Sequence, residues 1–174
     1  MLLRCHLRSY RYAAYGSNLH PDRLRQRVPS ASLVGTGLLP GYSLKFHKLS
    51  NKDGTGKCNI IAGESGVYVA IFELTETDRS KLNQFEGLGY GYDDHKIQVD
   101  QYGACSTYIA AANAIDDSLA PTDWYREYVL RGARFHRFPI NYISVLESQS
   151  TVADSDQDRA KREWMLVEKL QDGM

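Results

Sequence analysis

One glutamate carries the clearest chemical signal in this sequence. In "TETDRSKLNQFEGLGYGY", Thr75 to Tyr92, Leu82 and Phe85 stand three apart and Glu86 stands four from Leu82. On a helix that spacing sets Glu86 beside the apolar stripe, with Glu76, Asp78 and Lys81 early or outward. Glu86 also falls in the last turn before Gly87, where the helix dipole disfavours negative charge. Burial and a helix C-terminus both push a carboxyl group toward its protonated form, the direction a general acid/base near neutral pH requires. Position alone does not separate this role from that of a solvated or lysine-paired glutamate.

A second signal has almost no reactive side chain. "YAAYGSNLHP", Tyr12 to Pro21, runs from aromatic and small residues into Gly16-Ser17-Asn18 and then to a proline. Successive N–H groups after a strand form an anion-binding nest, and Pro21 suits the first turn of a short helix. An ordinary reversing turn has the same composition. Ser17 has no GxSxG elbow around it, which sets a serine-hydrolase triad aside. Of the 12 tyrosines, Tyr90, Tyr92, Tyr108, Tyr125 and Tyr128 recur near glycine or small residues. They suit packing with a polar rim as well as a polar pocket.

Both stretches need a scaffold. Alternation and β-branched or aromatic residues predict strands at Tyr10–Tyr15, Leu33–Leu38, Tyr42–His47 and Val67–Leu74. Weaker strands are predicted at Cys58–Ala62, His95–Val99 and Ser106–Ala111. Thr75 or Thr77 caps a helix that ends at Gly87, and a second helix starts near Pro121–Thr122 with Gly132 near its end. "PINYISVLES" gives a short third helix, and Asp156 to Leu170 a fourth with Ala160, Trp164 and Val167 on one face. "SNKDGTGKCN", Ser50 to Asn59, is expected to be a mobile loop. Strands dominate early and helices are inserted or appended, so the expectation is an α+β domain with a small mixed β-barrel, closed or strongly curved. No Rossmann or P-loop spacing is present, and "GLGYGY", Gly87 to Tyr92, follows a helix and not a strand.

Composition narrows the function classes. The 174 residues are 43% apolar, with 21 basic and 21 acidic side chains, which gives no basic excess for nucleic acid or an anionic membrane surface. No apolar run reaches the roughly 20 residues of a membrane span. Arg4, His6, Arg8 and Arg11 interrupt "MLLRCHLRSYRY", so no secretory signal is read there and a cytoplasmic location is expected. Cys5, Cys58 and Cys105 have no CxxC spacing and the five histidines no HExxH, so neither a disulfide framework nor a metal site is expected.

Taken together, these pieces resemble the γ-glutamylcyclotransferase family. The resemblance rests on "YAAYGSNL" (Tyr12–Leu19), "LVGTGLLPGYSLKFHK" (Leu33–Lys48), "GVYVAIFEL" (Gly66–Leu74), "LNQFEGLGYGY" (Leu82–Tyr92), "STYIA" (Ser106–Ala110) and "APTDWYREYVLRGARFHRFPINYISVL" (Ala120–Leu146). These segments cover a core of about 10–147 in one domain of 1–174, with a C-terminal helix at 155–170. The resemblance implies intramolecular lysis of γ-glutamyl amides: the substrate's α-amine attacks its own γ-carbonyl and releases 5-oxoproline and an amine. It implies Glu86 as the acid/base, a glutamyl cradle at Tyr15, Gly16, Ser17, Asn18 and Leu19, and pocket tyrosines at Tyr92, Tyr108 and Tyr125. It also implies a cofactor-independent, metal-free reaction on a small-molecule partner.

Two departures stand out. Ala13 replaces an aromatic common before YGSN, on a side expected to face away from the pocket, and Glu86 to Tyr92 is a residue shorter than in some relatives. The YGSN reading, as against YGSL or YGT, points to γ-glutamyl amino acids or a related γ-glutamyl metabolite. A non-catalytic module of the same fold that binds a metabolite or protein, and a water-using amidase, are the competing readings. The sequence does not settle the oligomeric state, a homodimer being one option.

Overall fold

The computed structural model describes residues 9–173. Cys5 and the start of the N-terminal stretch lie outside them. The chain runs β1 (Ser9–Ala14), α1 (Pro21–Arg27), β2 (Ser32–Leu39), β3 (Tyr42–Leu49), β4 (Gly56–Ala62), β5 (Val67–Thr75) and α2 (Glu76–Glu86). It continues through β6 (Tyr92–Val99), β7 (Gly103–Ala110), α3 (Asp123–Phe135), α4 (Ile140–Glu147) and α5 (Gln157–Val167). Every strand and helix expected from the pattern is present within a few residues of its expected ends.

The principal sheet has the order β2-β5-β1-β7-β6, and β3 and β4 form a separate two-stranded sheet. β1 and β5 occupy interior places, which explains why their Tyr12–Ala14 and Val69–Phe72 segments are buried throughout with no alternation. β1 runs antiparallel to β5, with Tyr12 opposite Phe72, and parallel to β7, with Tyr12 opposite Ser106. This is the expected α+β class.

The expected barrel is not formed. The sheet is open, and β2 and β6 are edges with no ladder between them. Bulky side chains fill the space where a seam would close. Val99 packs over Gly37, and Tyr102 lies over Gly35 so closely that a Cβ there would sit 2.1 Å from the phenol oxygen. The expected mobile loop is also corrected: Gly56–Asn59 belongs to β4, and Ser50–Thr55 is a bonded turn closed by Ser50 N–H to Thr55 O at 3.0 Å. Lys57 clamps that turn through Asp53 at 2.7 Å.

The helices cover the sheet by their apolar faces. α3 buries Trp124, Tyr125, Tyr128, Val129, Gly132 and Ala133, and α5 packs against it through Trp164 and Val167. The apolar face of α5 is therefore taken within its own chain. Among the described residues no helix is long and apolar enough to cross a membrane.

Candidate active site

Glu86 owes its place to the ends of α2. The Thr75 hydroxyl accepts from Asp78 N–H, and Glu76 and Asp78 lie in the first turn, where negative charge suits the dipole. At the other end Gly87 adopts φ 66°, a left-handed value that favours glycine, and Leu88 N–H returns to Asn83 O at 2.9 Å. The helix thus stops with Glu86 as its last residue.

The Gly16–Leu19 segment is a turn closed by Leu19 N–H to Gly16 O at 3.0 Å. The N–H groups of Gly16, Ser17 and Asn18 find no acceptor among the described residues. A Cβ at Gly16 would lie 2.9 Å from the Cys58 Cβ, so only glycine lets the turn lie this close to β4. α1 follows at once, with Pro21 at its start and His20 as its cap, Nδ1 accepting from Asp22 N–H at 3.2 Å.

The turn and the carboxylate meet through a side chain. Asn18 is buried, and its amide donates to Glu86 Oε1 at 2.8 Å and to the Tyr12 hydroxyl at 3.1 Å. Its carbonyl oxygen accepts from Arg27 at 2.9 Å, and the same Arg27 nitrogen lies 3.3 Å from Glu86 Oε1. Glu86 and Arg27 keep only 16% and 19% side-chain exposure, enough to reach the pocket and little enough to hold the geometry.

An inner pocket of about 30 Å³ is lined by Tyr12, Tyr15, Gly16, Ser17, Asn18, Cys58, Glu86, Tyr92, Tyr108 and Tyr125. It adjoins an outer cleft of about 310 Å³ that shares Ser17, Glu86, Tyr92 and Tyr125 with it. Burial raises the phenols of Tyr12, Tyr15, Tyr92 and Tyr125 well above the ordinary range, and the negative charge of Glu86 acts the same way. Burial also pushes the Cys58 thiol up to about 12. The walls are therefore neutral, and Cys58 is no thiolate nucleophile.

The structure brings together all but one of the residues expected from the sequence. Leu19 is the exception: its N–H is engaged by Gly16 and its side chain is fully buried against Gly132. The hydroxyls of three tyrosines donate within the protein, whereas that of Tyr125 accepts from Cys58 N–H at 3.1 Å. Tyr15 donates to Tyr108 O, Tyr92 to Cys58 O at 2.5 Å and Tyr108 to Asn83 Oδ1 at 2.6 Å, so their hydroxyls brace the walls. Tyr125, and not Tyr128, faces the pocket; Tyr128 donates to Glu163 at 2.9 Å elsewhere. Tyr12 and Arg27 were missed from the sequence. Strand alternation identifies Tyr12, because Ala13 faces away from the pocket, whereas no local spacing links Arg27 to Glu86.

Known proteins share this architecture. A solved γ-glutamyl cyclotransferase superposes with a TM-score of 0.81 at 22% identity, covering 93% of this chain and 99% of that one. A human protein described as uncharacterized gives 0.78 at 22% identity over 92% of this chain and 99% of its own. The model of the AIG2-like family matches residues 66–146, the stretch from β5 to α4 that carries Glu86 and three of the tyrosines. The γ-glutamylcyclotransferase of Bos taurus is 27% identical over 147 residues, which cover 80% of this chain and 78% of that protein. In sequence and in fold, this chain is similar to γ-glutamylcyclotransferases. The human γ-glutamylcyclotransferase is 26% identical over 150 residues, again 80% of this chain and 78% of that protein.

Proposed function

We propose that the chain cleaves γ-glutamyl amides by cyclisation, releasing 5-oxoproline and a free amine or amino acid. One observation carries this reading: Glu86 and the open amides of Gly16–Asn18 meet in a single neutral-walled pocket, bridged by Asn18. The small inner pocket suits a folded glutamyl group, and folding places the α-nitrogen against the γ-carbonyl without the entropy cost of a second reactant. The N–H groups of the turn receive the anionic groups of the glutamyl end, the α-carboxylate and the γ-oxygen as charge develops on it.

The proton balance suits a single carboxylate. As the new carbon–nitrogen bond forms and the old one breaks, two protons pass from the attacking α-ammonium to the departing nitrogen. Glu86 removes protons from the first and returns them to the second, acting as base and then as acid. Arg27 and Asn18 are positioning residues that hold the carboxylate between the two nitrogens.

The test is mass spectrometry of products from a panel of γ-glutamyl amides. Wild type should release 5-oxoproline, and Glu86→Gln should lower the rate at least about 100-fold. Full activity in Glu86→Gln would remove Glu86 from the mechanism, and free glutamate in place of 5-oxoproline would make the protein a water-using amidase.

A further inference from the structure

The outer cleft is charged in a way the whole chain is not. Six cationic side chains and three carboxylates line it, an excess of three positive charges on a chain whose total is balanced. Its volume of about 310 Å³ falls in the range of small-molecule sites. Most of its cations already have partners: Lys57 bonds Asp53 at 2.7 Å, and Arg159 pairs with Asp154 and Asp156.

Lys48 does not. It is 9% exposed, and its ammonium has neither an acceptor nor a carboxylate within 4 Å among the described residues. The ammonium passes over Gly91, where an added Cβ would lie 2.9 Å from Nζ, and stands 4.7 Å from the centre of the Tyr92 ring. Tyr92 lines the inner pocket too, so Lys48 stands where that pocket opens into the cleft. Arg23, which also lines the cleft, pairs with Glu163 at 3.7 Å but leaves its buried Nε without an acceptor. Burial lowers the Lys48 pKa and the more distant charge of Glu86 only partly opposes it, so an anion placed directly on the ammonium would offset the cost of that burial.

Resting on the cyclisation reading above, we propose that Lys48 is a specificity-determining residue that receives an anionic group, carboxylate or phosphate, on the amine half of the substrate. The glutamyl end fills the inner pocket, and the departing amine extends past Tyr92 into the cleft. The substrate class is then γ-glutamyl amides of amines that carry a negative charge close to the nitrogen. Neutral alkylamines leave Lys48 unmatched.

The experiment compares γ-glutamyl amides of n-butylamine, alanine and phosphoethanolamine as substrates, and measures their binding to the Glu86→Gln protein by calorimetry. Wild type should favour the charged amides by about tenfold or more in kcat/KM. Lys48→Met should reduce that ratio about tenfold, whereas Lys45→Met, on the exposed side of the same strand, should keep it. The two charged substrates separate a carboxylate site from a phosphate site. An unchanged ratio in Lys48→Met, or an equal loss on all three amides, overturns the assignment even if 5-oxoproline is formed. If no amide yields 5-oxoproline yet the Glu86→Gln protein binds the charged amides in preference and loses that preference with Lys48→Met, the anion site stands and the cyclisation reading falls. Binding without charge preference overturns the site.

Discussion

Asn18→Leu isolates the bridge between the turn and the carboxylate. The substitution keeps a side chain of similar length, and Asn18 has no positive φ that would make a branched replacement strained. What it removes is three hydrogen bonds, to Glu86 at 2.8 Å, to Tyr12 at 3.1 Å and from Arg27 at 2.9 Å. Two of these involve a charged partner, at about 1.5–3 kcal/mol each, and the third is neutral, at about 1 kcal/mol. They share one network, so their losses do not add, and the direct Arg27–Glu86 contact at 3.3 Å survives to limit the damage. A net destabilisation of about 2–4 kcal/mol is expected, read as a lower urea midpoint with an unchanged slope. kcat should fall about 10- to 100-fold, because Glu86 loses the donor that orients it, and KM should change less. Asn18→Leu with wild-type stability and kcat would refute the bridge as the device that holds Glu86.

Two further outcomes follow from particular contacts. Gly132→Ala gains about 1 kcal/mol of helix propensity. It also places a Cβ 2.3 Å from the Leu19 Cβ and 3.0 Å from the His20 backbone nitrogen. The clash should prevail, with a net loss of about 1–3 kcal/mol, and a thermal melt showing stabilisation would contradict the close approach of α3 to the turn. Acid should weaken the fold through Asp154, whose carboxyl Arg159, the Asp156 N–H and the Trp124 N–H hold down to about 2. A carboxyl lowered on folding contributes its full stability above the ordinary aspartate value of 3.8 and loses it as pH falls toward 2. Urea melts between pH 5 and 2 should show that decline, and Asp154→Asn should flatten it.

Local signals made much of this molecule legible in its sequence. Thr75 and Gly87 bracket α2 through hydrogen-bond rules that act within one turn, and so Glu86 could be placed at its end before any tertiary contact was known. Pro21 and Gly16-Ser17-Asn18 acted the same way for the turn and α1. What was not legible came from distant partners. Arg27 reaches Glu86 only because α1 and α2 pack together, and the openness of the sheet depends on Val99 and Tyr102 meeting two glycines on β2. The His20 cap was missed because imidazole is a rare cap, and its other nitrogen depends on Gln171 O from the far end of the chain. The tyrosines were found as a set, but the partner that each hydroxyl meets, backbone or side chain, lies many residues away.

The pairing of β1 with β5 has a further consequence for how the protein comes to be active. Tyr12 and the turn are carried by β1, and β5 leads into α2 and Glu86, so the two halves of the site become neighbours only when Tyr12 lies opposite Phe72 and Ala14 opposite Ala70. A slip of one residue in that register would turn Tyr12 to the opposite face of the sheet and carry the turn away from the carboxylate. Because the paired residues are about sixty apart in the chain, this closure pays a long-loop entropy before any contact rewards it. Catalytic competence should therefore appear late in refolding, at the step that selects the register, and a chain trapped one residue out of step would be compact, largely folded and inert.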